Sequence, residues 1–123
     1  MFTTLREEKD MDELIKDTLN TPFIKGVTFS GGEPFERPIE FSYMAKEFKK
    51  AGLNIWSYTG YRFEDIVKNE EGLELLKNID VLVDGKFEEE KKEDTLKFRG
   101  SSNQRIIDVK KSFKENSIKL ISL

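Results

Sequence analysis

The stretch GVTFSGGEP, residues 26–34, decides the fold class because it joins a β-forming run directly to a tight turn. Val27, Thr28 and Phe29 are β-branched or aromatic residues, which favour a strand, and we predict that strand over residues 23–30. The Gly-Gly-Glu-Pro that follows is a strong turn signal. A strand that ends in a glycine-rich loop before a helix is typical of α/β proteins.

Helical patterns flank this stretch on both sides. Asp10 is a predicted N-cap for a first helix that ends before Pro22, because a residue preceding proline avoids the helical region. Pro38 suits the first turn of a second helix, and Gly52 fits the position just after its end. The apolar residues that recur at helical spacing are Met11, Leu14, Ile15 and Leu19 in the first helix and Phe41, Met44, Ala45 and Phe48 in the second.

The unit of strand, polar loop and helix then repeats. Strands are predicted over residues 53–58 and 79–83, and a helical stretch from Phe63 separates them, with a break at Gly72. Residues 106–109 form a possible further strand, and residues 118–123 are either a strand or a loose tail. The order α-β-α-β-α-β with short connections predicts parallel strands joined by right-handed crossovers.

Composition limits the classes of function. The chain has 123 residues, which predicts a single domain over residues 1–123, and its net charge is −3. Charges of both signs are interspersed, so we expect no nucleic-acid partner. The apolar runs are too short to cross a membrane, and the N-terminus has no apolar signal core, so we expect a cytoplasmic protein.

Two residue types are absent from the sequence, which contains no Cys and no His. Without Cys the chain offers no thiolate nucleophile and no ligand for a cysteine-bound iron–sulfur cluster, and without His it offers no imidazole base. We therefore assign no catalytic and no metal-ligating residue. Chemistry must depend on carboxylates, Lys, hydroxyls, backbone groups or a bound cofactor.

The candidate site is the edge where three predicted strands end, in the loops 30–34, 57–60 and 84–86. Parallel strands place their carboxyl ends at one edge, where α/β proteins bind ligands. Lys86 suits a carboxylate or a phosphate, and Asp84 or Glu33 suits an amine or a ribose hydroxyl. This set predicts a small zwitterionic or nucleotide-like ligand. Each piece also has an ordinary interpretation, as a turn or as a surface lysine.

Four segments in order resemble one family, the activating proteins of anaerobic ribonucleoside-triphosphate reductase, which are radical S-adenosylmethionine (SAM) enzymes. Residues 26–34 resemble the family's SAM-binding segment, and IWSYTGY, residues 55–61, is similar to its next strand and loop. IDVLVDGKF, residues 79–87, resembles the following strand, and RGSSNQR, residues 99–105, its C-terminal motif.

The resemblance implies a partial parallel (βα) barrel that binds SAM across its strand ends. It also implies a 4Fe-4S cluster that reduces SAM to a 5′-deoxyadenosyl radical, which takes a hydrogen from a glycine of the partner reductase. The residues that would contact the methionine amine are Ser30, Gly31, Gly32 and Glu33. Thr59 and Asp84 are weaker candidates for the ribose or amine, and Lys86 is a candidate for the carboxylate.

The sequence departs from this family at the cluster. The family's Cys-x3-Cys-x2-Cys loop has no counterpart, so we expect a chain that lacks the first strand and the cluster loop, exposes a sheet edge and is inactive alone. Three interpretations stay open: a truncated activating protein, a cluster-free SAM-binding or reductase-docking module, and a nucleotide- or phosphate-binding α/β domain that uses residues 99–105.

Overall fold

The computed structural model describes residues 11–30 and 32–122 in full and the backbone of residues 2–5. The predicted N-cap Asp10 lies outside the described residues. The strands are β1 (Phe2–Leu5), β2 (Gly26–Phe29), β3 (Asn54–Tyr58), β4 (Val81–Asp84) and β5 (Arg105–Asp108). The helices are α1 (Met11–Leu19), α2 (Pro38–Lys50), α3 (Phe63–Ile66), α4 (Glu70–Leu76) and α5 (Val109–Glu115), and the short 3-10 turns are Pro34–Glu36 and Glu89–Lys91.

The five strands form one sheet in the order β1-β2-β3-β4-β5. The first four are parallel, and β5 runs antiparallel to β4. The predicted α/β class is therefore confirmed, with a sheet that is mostly parallel, and the partial parallel (βα) barrel stays a prediction. The antiparallel β5 follows β4 without a crossover helix, so the segment that joins them returns to the edge where the parallel strands end.

The expectation that no strand precedes the first helix was wrong. β1 pairs in parallel with β2, with Thr3 opposite Val27. Its sequence, Phe-Thr-Thr-Leu, is rich in residues that favour strands. The edge of β2 offers unpaired backbone N–H and C=O groups, and pairing with β1 satisfies them.

The core lies between one face of the sheet and the helices. Strand residues that point to this face include Val27, Phe29 and Ile55, all fully buried. Phe29 meets the ring of Phe41 edge-on, with ring centroids 5.0 Å apart, so α2 is locked against the centre of the sheet. This packing explains the buried stripe of α2 that its helical spacing predicted.

The opposite face of the sheet carries a smaller apolar cluster around Val81, Val83 and Ile106. Loop and tail segments cover part of it. The ring of Phe98 lies 5.0 Å from that of Trp56, and the amide of Ile121 donates a hydrogen bond to the carbonyl of Ile106. Of the predicted C-terminal strand or tail, the described residues form a single bridge between Leu120 and Ile107.

The break in the third helical stretch was predicted at the wrong residue. It lies between Ile66 and Glu70, and Gly72 is inside α4. The side chain of Asn69 accepts a hydrogen bond of 2.8 Å from the amide of Gly72, so Asn69 is the N-cap of a new helix. A capping side chain satisfies the free amides of a first turn, and this starts α4 before the glycine.

No helix in residues 11–30 and 32–122 is long and apolar enough to cross a membrane. The charge run over residues 88–94 is mostly exposed, as predicted.

Asp80 lies at the edge of the sheet where the parallel strands begin, and its carboxylate joins several elements there. Its Oδ2 accepts hydrogen bonds from Lys49 Nζ at 2.7 Å and from the amide of Ile55 at 2.8 Å, and Lys110 Nζ lies 3.1 Å from Oδ1. Burial opposes ionisation of Asp80, but these hydrogen bonds outweigh it and lower the pKa of its carboxyl group. One carboxylate thus joins α2, β3 and α5.

We predict that Asp80→Ala lowers the free energy of unfolding by about 2 kcal/mol, because it leaves a half-buried Lys and a strand amide without their acceptor. Urea unfolding at pH 7 measures the loss. The matched control Glu47→Ala removes the partly exposed partner of the exposed Lys50 and should change stability by less than about 0.5 kcal/mol. Equal losses in the two variants would contradict the role of Asp80.

We also predict that the effect of Asp80→Ala on stability depends on pH. The pKa of Asp80 is lower in the folded chain, so its contribution is complete above the unfolded value of about 3.9 and is lost as the pH falls through the folded value. The stability gap between the native chain and Asp80→Ala should therefore stay constant from pH 7 to pH 5 and narrow below about pH 4. A gap that is unchanged in acid would rule out a charged Asp80 as its source.

Candidate functional site

The structure brings the loops after β2, β3 and β4 together around an open cleft of about 270 Å³. Ser30, Gly32, Thr59 and Gly85 line it, one or two from each loop. The three loops converge because β2, β3 and β4 are parallel and therefore end at the same edge of the sheet. Of the predicted residues, Gly31 lies outside the described part of the chain, and Asp84 and Lys86 flank the cleft without lining it.

Glu33 ties the first loop to the second. Its Oε2 accepts hydrogen bonds from the Thr59 hydroxyl at 2.9 Å and from the amide of Phe35 at 3.1 Å. Its Oε1 accepts one from the amide of Gly60 at 2.7 Å. A carboxylate has about four acceptor positions, so three are used by the protein and one remains, on Oε1.

Thr59 completes this link from the other side. It is buried, and its hydroxyl donates to Glu33 while accepting a hydrogen bond of 3.1 Å from the amide of Tyr61. Its own amide donates to the carbonyl of Val83 in β4. Thr59 therefore connects all three strand ends, and its hydroxyl already has both a donor and an acceptor role within the protein.

Asp84 is fully buried, and its carboxylate serves the protein. Its Oδ2 accepts a hydrogen bond of 2.8 Å from the amide of Phe63 at the start of α3. Arg105 of β5 binds both oxygens, with Nε 3.0 Å from Oδ1 and Nη2 2.5 Å from Oδ2. A buried carboxylate needs such a partner, because an unpaired charge in the interior is very costly.

Arg105 also reaches a second acid. Its Nη2 lies 2.6 Å from Glu64 Oε1, so the guanidinium bridges α3 and β4. The hydrogen bond from Arg105 lowers the pKa of Glu64 to about 2, although burial opposes it, and hydrogen bonding to Asp84 raises the pKa of Arg105. Both groups stay charged across the neutral range.

Lys86 is the cation that remains available at the rim. It is exposed, and its ammonium forms no ion pair with a described residue. Its carbonyl accepts a hydrogen bond of 2.8 Å from Asn103, which fixes the backbone while leaving the side chain free. The methylene Cγ of Lys86 lies beside Gly60, at the mouth of the cleft.

Gln104 is a cleft residue that reasoning from the residues alone did not identify. Its Nε2 donates to the carbonyl of Gly85 at 3.0 Å, and its Oε1 accepts from the amides of Gly100 and Ser101 at 2.9 and 3.1 Å. The side chain thus fastens the loop before β5 to the loop after β4. The resemblance of residues 99–105 to a family motif predicts residues 99–104 at the reductase-facing or SAM-facing end, but it assigns no contact to Gln104.

This arrangement is suited to binding rather than to acid–base catalysis. Its carboxylates are held in hydrogen bonds that join the loops. The other residues that line the cleft are glycines, hydroxyl-bearing residues, Phe87 and Gln104. No group of three His, Cys, Asp or Glu residues in the described segments is placed to hold a metal ion. Because the 123-residue sequence has no Cys, a cysteine-bound 4Fe-4S cluster does not fit this chain.

Comparison with known proteins gives a consistent set of relatives. The family described as "4Fe-4S single cluster domain" matches residues 3–107. The anaerobic ribonucleoside-triphosphate reductase-activating protein of Enterobacteria phage T4 is 39% identical over 92 residues, covering 72% of this chain and 56% of the relative. The proteins of the same name from Escherichia coli K12 and Haemophilus influenzae are each 36% identical, covering 78% and 86% of this chain and 65% and 68% of their own lengths.

This chain thus spans between about half and two thirds of the length of these relatives. No solved structure matches it. The family match extends from β1 to β5 and includes every loop of the cleft. The chain therefore belongs to the 4Fe-4S single cluster domain family and, within it, to the activating proteins of anaerobic ribonucleoside-triphosphate reductase, as a sequence that contains no cysteine.

Proposed function

We propose that this chain binds SAM in the strand-end cleft and serves as the SAM-binding and reductase-docking part of an activating protein, in the cytoplasm. The observation that carries the proposal is the link from Glu33 to Thr59 and Gly60. It holds the Gly-Gly-Glu loop in register with the next strand end. The names of the relatives support the choice of partner.

The shape of the cleft supports a ligand that is bound through backbone groups. Gly32, Gly60 and Gly85 border it, and glycines allow a ligand to approach the main chain closely. A volume of about 270 Å³ is slightly below the usual range for small-molecule sites, about 300–1,000 Å³. We propose that the methionine end of SAM enters the cleft and that the nucleoside extends across the open rim.

The proposed contacts follow from which groups are still available. The segment Ser30–Glu33, including Gly31 and Gly32, would hold the methionine amine, with the unused acceptor position on Glu33 Oε1 facing it. Lys86 would hold the methionine carboxylate. The side-chain oxygens of Thr59 and Asp84 are already hydrogen-bonded within the protein. We therefore propose that these two residues position the loops beside the ribose.

The same chain does not account for radical formation. SAM supplies a sulfonium group that can be reduced, and the family's cluster has no thiolate ligand in these 123 residues. We propose that this chain contributes binding and orientation, and that formation of a glycyl radical on the reductase requires a cluster held by cysteines outside these residues. The chain alone is then inactive.

We predict that the native chain releases or absorbs heat when titrated with SAM, and that Gly32→Asp weakens binding at least tenfold. The new side chain would fill the loop that is proposed to hold the methionine amine and would keep the ligand away from the main chain. The matched control is Gly52→Asp. Gly52 has nearly the same backbone angle, φ +80° against +81° for Gly32, but lies at the end of α2, where a side chain would meet open space.

Comparison of the two variants distinguishes backbone strain from loss of SAM binding. Both place a side chain in the left-handed region, so thermal unfolding should show similar losses of stability. Only Gly32→Asp should lose affinity for SAM. Absence of binding by the folded native chain would contradict the SAM proposal, and so would equal affinity of Gly32→Asp and Gly52→Asp.

We predict that anaerobic incubation with iron and sulfide, followed by desalting, leaves the chain without the broad visible absorption of a 4Fe-4S cluster. The physical reason is the absence of thiolate ligands. Iron analysis and the visible spectrum measure the outcome, and circular dichroism checks that the chain stays folded. About one cluster per folded chain would contradict this prediction.

A further inference from the structure

A second cavity, of about 280 Å³, lies beside the strand-end cleft, between the segment before β5 and the C-terminal residues. One part of its wall is cationic and another is apolar. The cationic residues are Lys97, Arg99 and Arg105, and the apolar ones are Ile106, Leu120 and Ile121. Gln104 lines both this cavity and the cleft.

Two of the three cations carry charge that the protein does not balance. Arg105 is neutralised by Asp84 and Glu64. Lys97 and Arg99 form no ion pair with any described carboxylate, although the chain as a whole has a net charge of −3 and an acidic run at residues 88–94. The cavity is therefore a locally positive site on an acidic protein.

Arg99 is held in place by one end of its guanidinium. Its Nη1 donates to the carbonyl of Gln104 at 2.7 Å and more weakly to that of Ser102 at 3.4 Å. Its Nε and Nη2 donate to no group in the described part of the chain. The Nε–Nη2 edge of an arginine is a planar fork that matches two oxygens of a phosphate or carboxylate.

The backbone between the two free cations has an unusual conformation. Phe98 has φ +65°, in the left-handed region, which is uncommon for a bulky residue that is not glycine. Its ring packs on Trp56, while Lys97 and Arg99, on either side of it, both line the cavity. Such backbone outliers concentrate at functional sites, and Lys97 and Arg99 flank this one.

We propose that this cavity binds a phosphate-bearing small molecule, with the phosphate between Lys97 and Arg99 and the rest of the molecule against Leu120 and Ile121. A concave site with an apolar wall fits a small ligand better than an acidic protein segment, which would need a longer and flatter surface. The proposal does not depend on SAM binding, because none of its cations lines the cleft.

We predict that the native chain binds tripolyphosphate at constant ionic strength, as measured by calorimetry and by the emission of Trp56, the single tryptophan. Arg99→Gln and Lys97→Gln should each weaken binding at least tenfold. Lys97 has no hydrogen bond to a described residue, so its variant tests the charge without disturbing the loop. The matched control Lys114→Gln removes an exposed charge from α5 and should change affinity less than twofold.

Further arms identify the ligand and separate the two sites. If a nucleoside triphosphate binds more tightly than tripolyphosphate, and Leu120→Ser removes that difference in affinity, the apolar wall binds the nucleoside. If the two affinities are equal, the site binds free polyphosphate. Gly32→Asp should leave phosphate binding unchanged. No binding by the native chain, equal weakening in Lys114→Gln, or binding of a polyglutamate peptide instead of phosphates would overturn the proposal.

Discussion

The buried carboxylate of Asp84 is the constraint on which the rest of the rim depends. A charge with no exposed surface must be paired, and here Arg105 binds both of its oxygens. The pairing fixes β5 beside β4, and the hydrogen bond from the amide of Phe63 to Asp84 fixes the start of α3. Because β5 is antiparallel, the same pair brings the segment before β5 back to the end of the parallel strands, where Gln104 lines the cleft.

The carboxylates around the cleft differ in function from the carboxylates on the surface. Exposed pairs such as Lys50 with Glu47 contribute little, since water competes for both partners. Glu33 and Asp84 instead accept hydrogen bonds from backbone amides of neighbouring loops, which holds the loops at fixed spacing. A rim built in this way leaves glycine backbone and Lys86 to contact a ligand, so the groups that would bind it differ from the groups that hold the loops.

Reasoning from the sequence succeeded where periodicity and strand direction decide the structure, and failed where a single distant partner decides it. The parallel sheet, α2 and the convergence of three loops followed from alternating elements with short connections. The partner of Asp84 lies 21 residues away on an antiparallel strand whose register the sequence does not reveal. The cap at Asn69 and the strand β1 were missed because short polar or mixed segments carry little periodic signal.

The contacts that hold the cleft together do not depend on cysteine. Hydrogen bonds within residues 33–105, among side chains or to the backbone, hold the four residues Glu33, Thr59, Asp84 and Arg105. None of these bonds requires a thiolate or a metal ion. The geometry of the rim is thus independent of an iron–sulfur cluster, and the SAM binding that we propose is physically separable from the radical chemistry that we propose for the complete activating protein. The loops at this rim are held together by carboxylates that lie within residues 33–105.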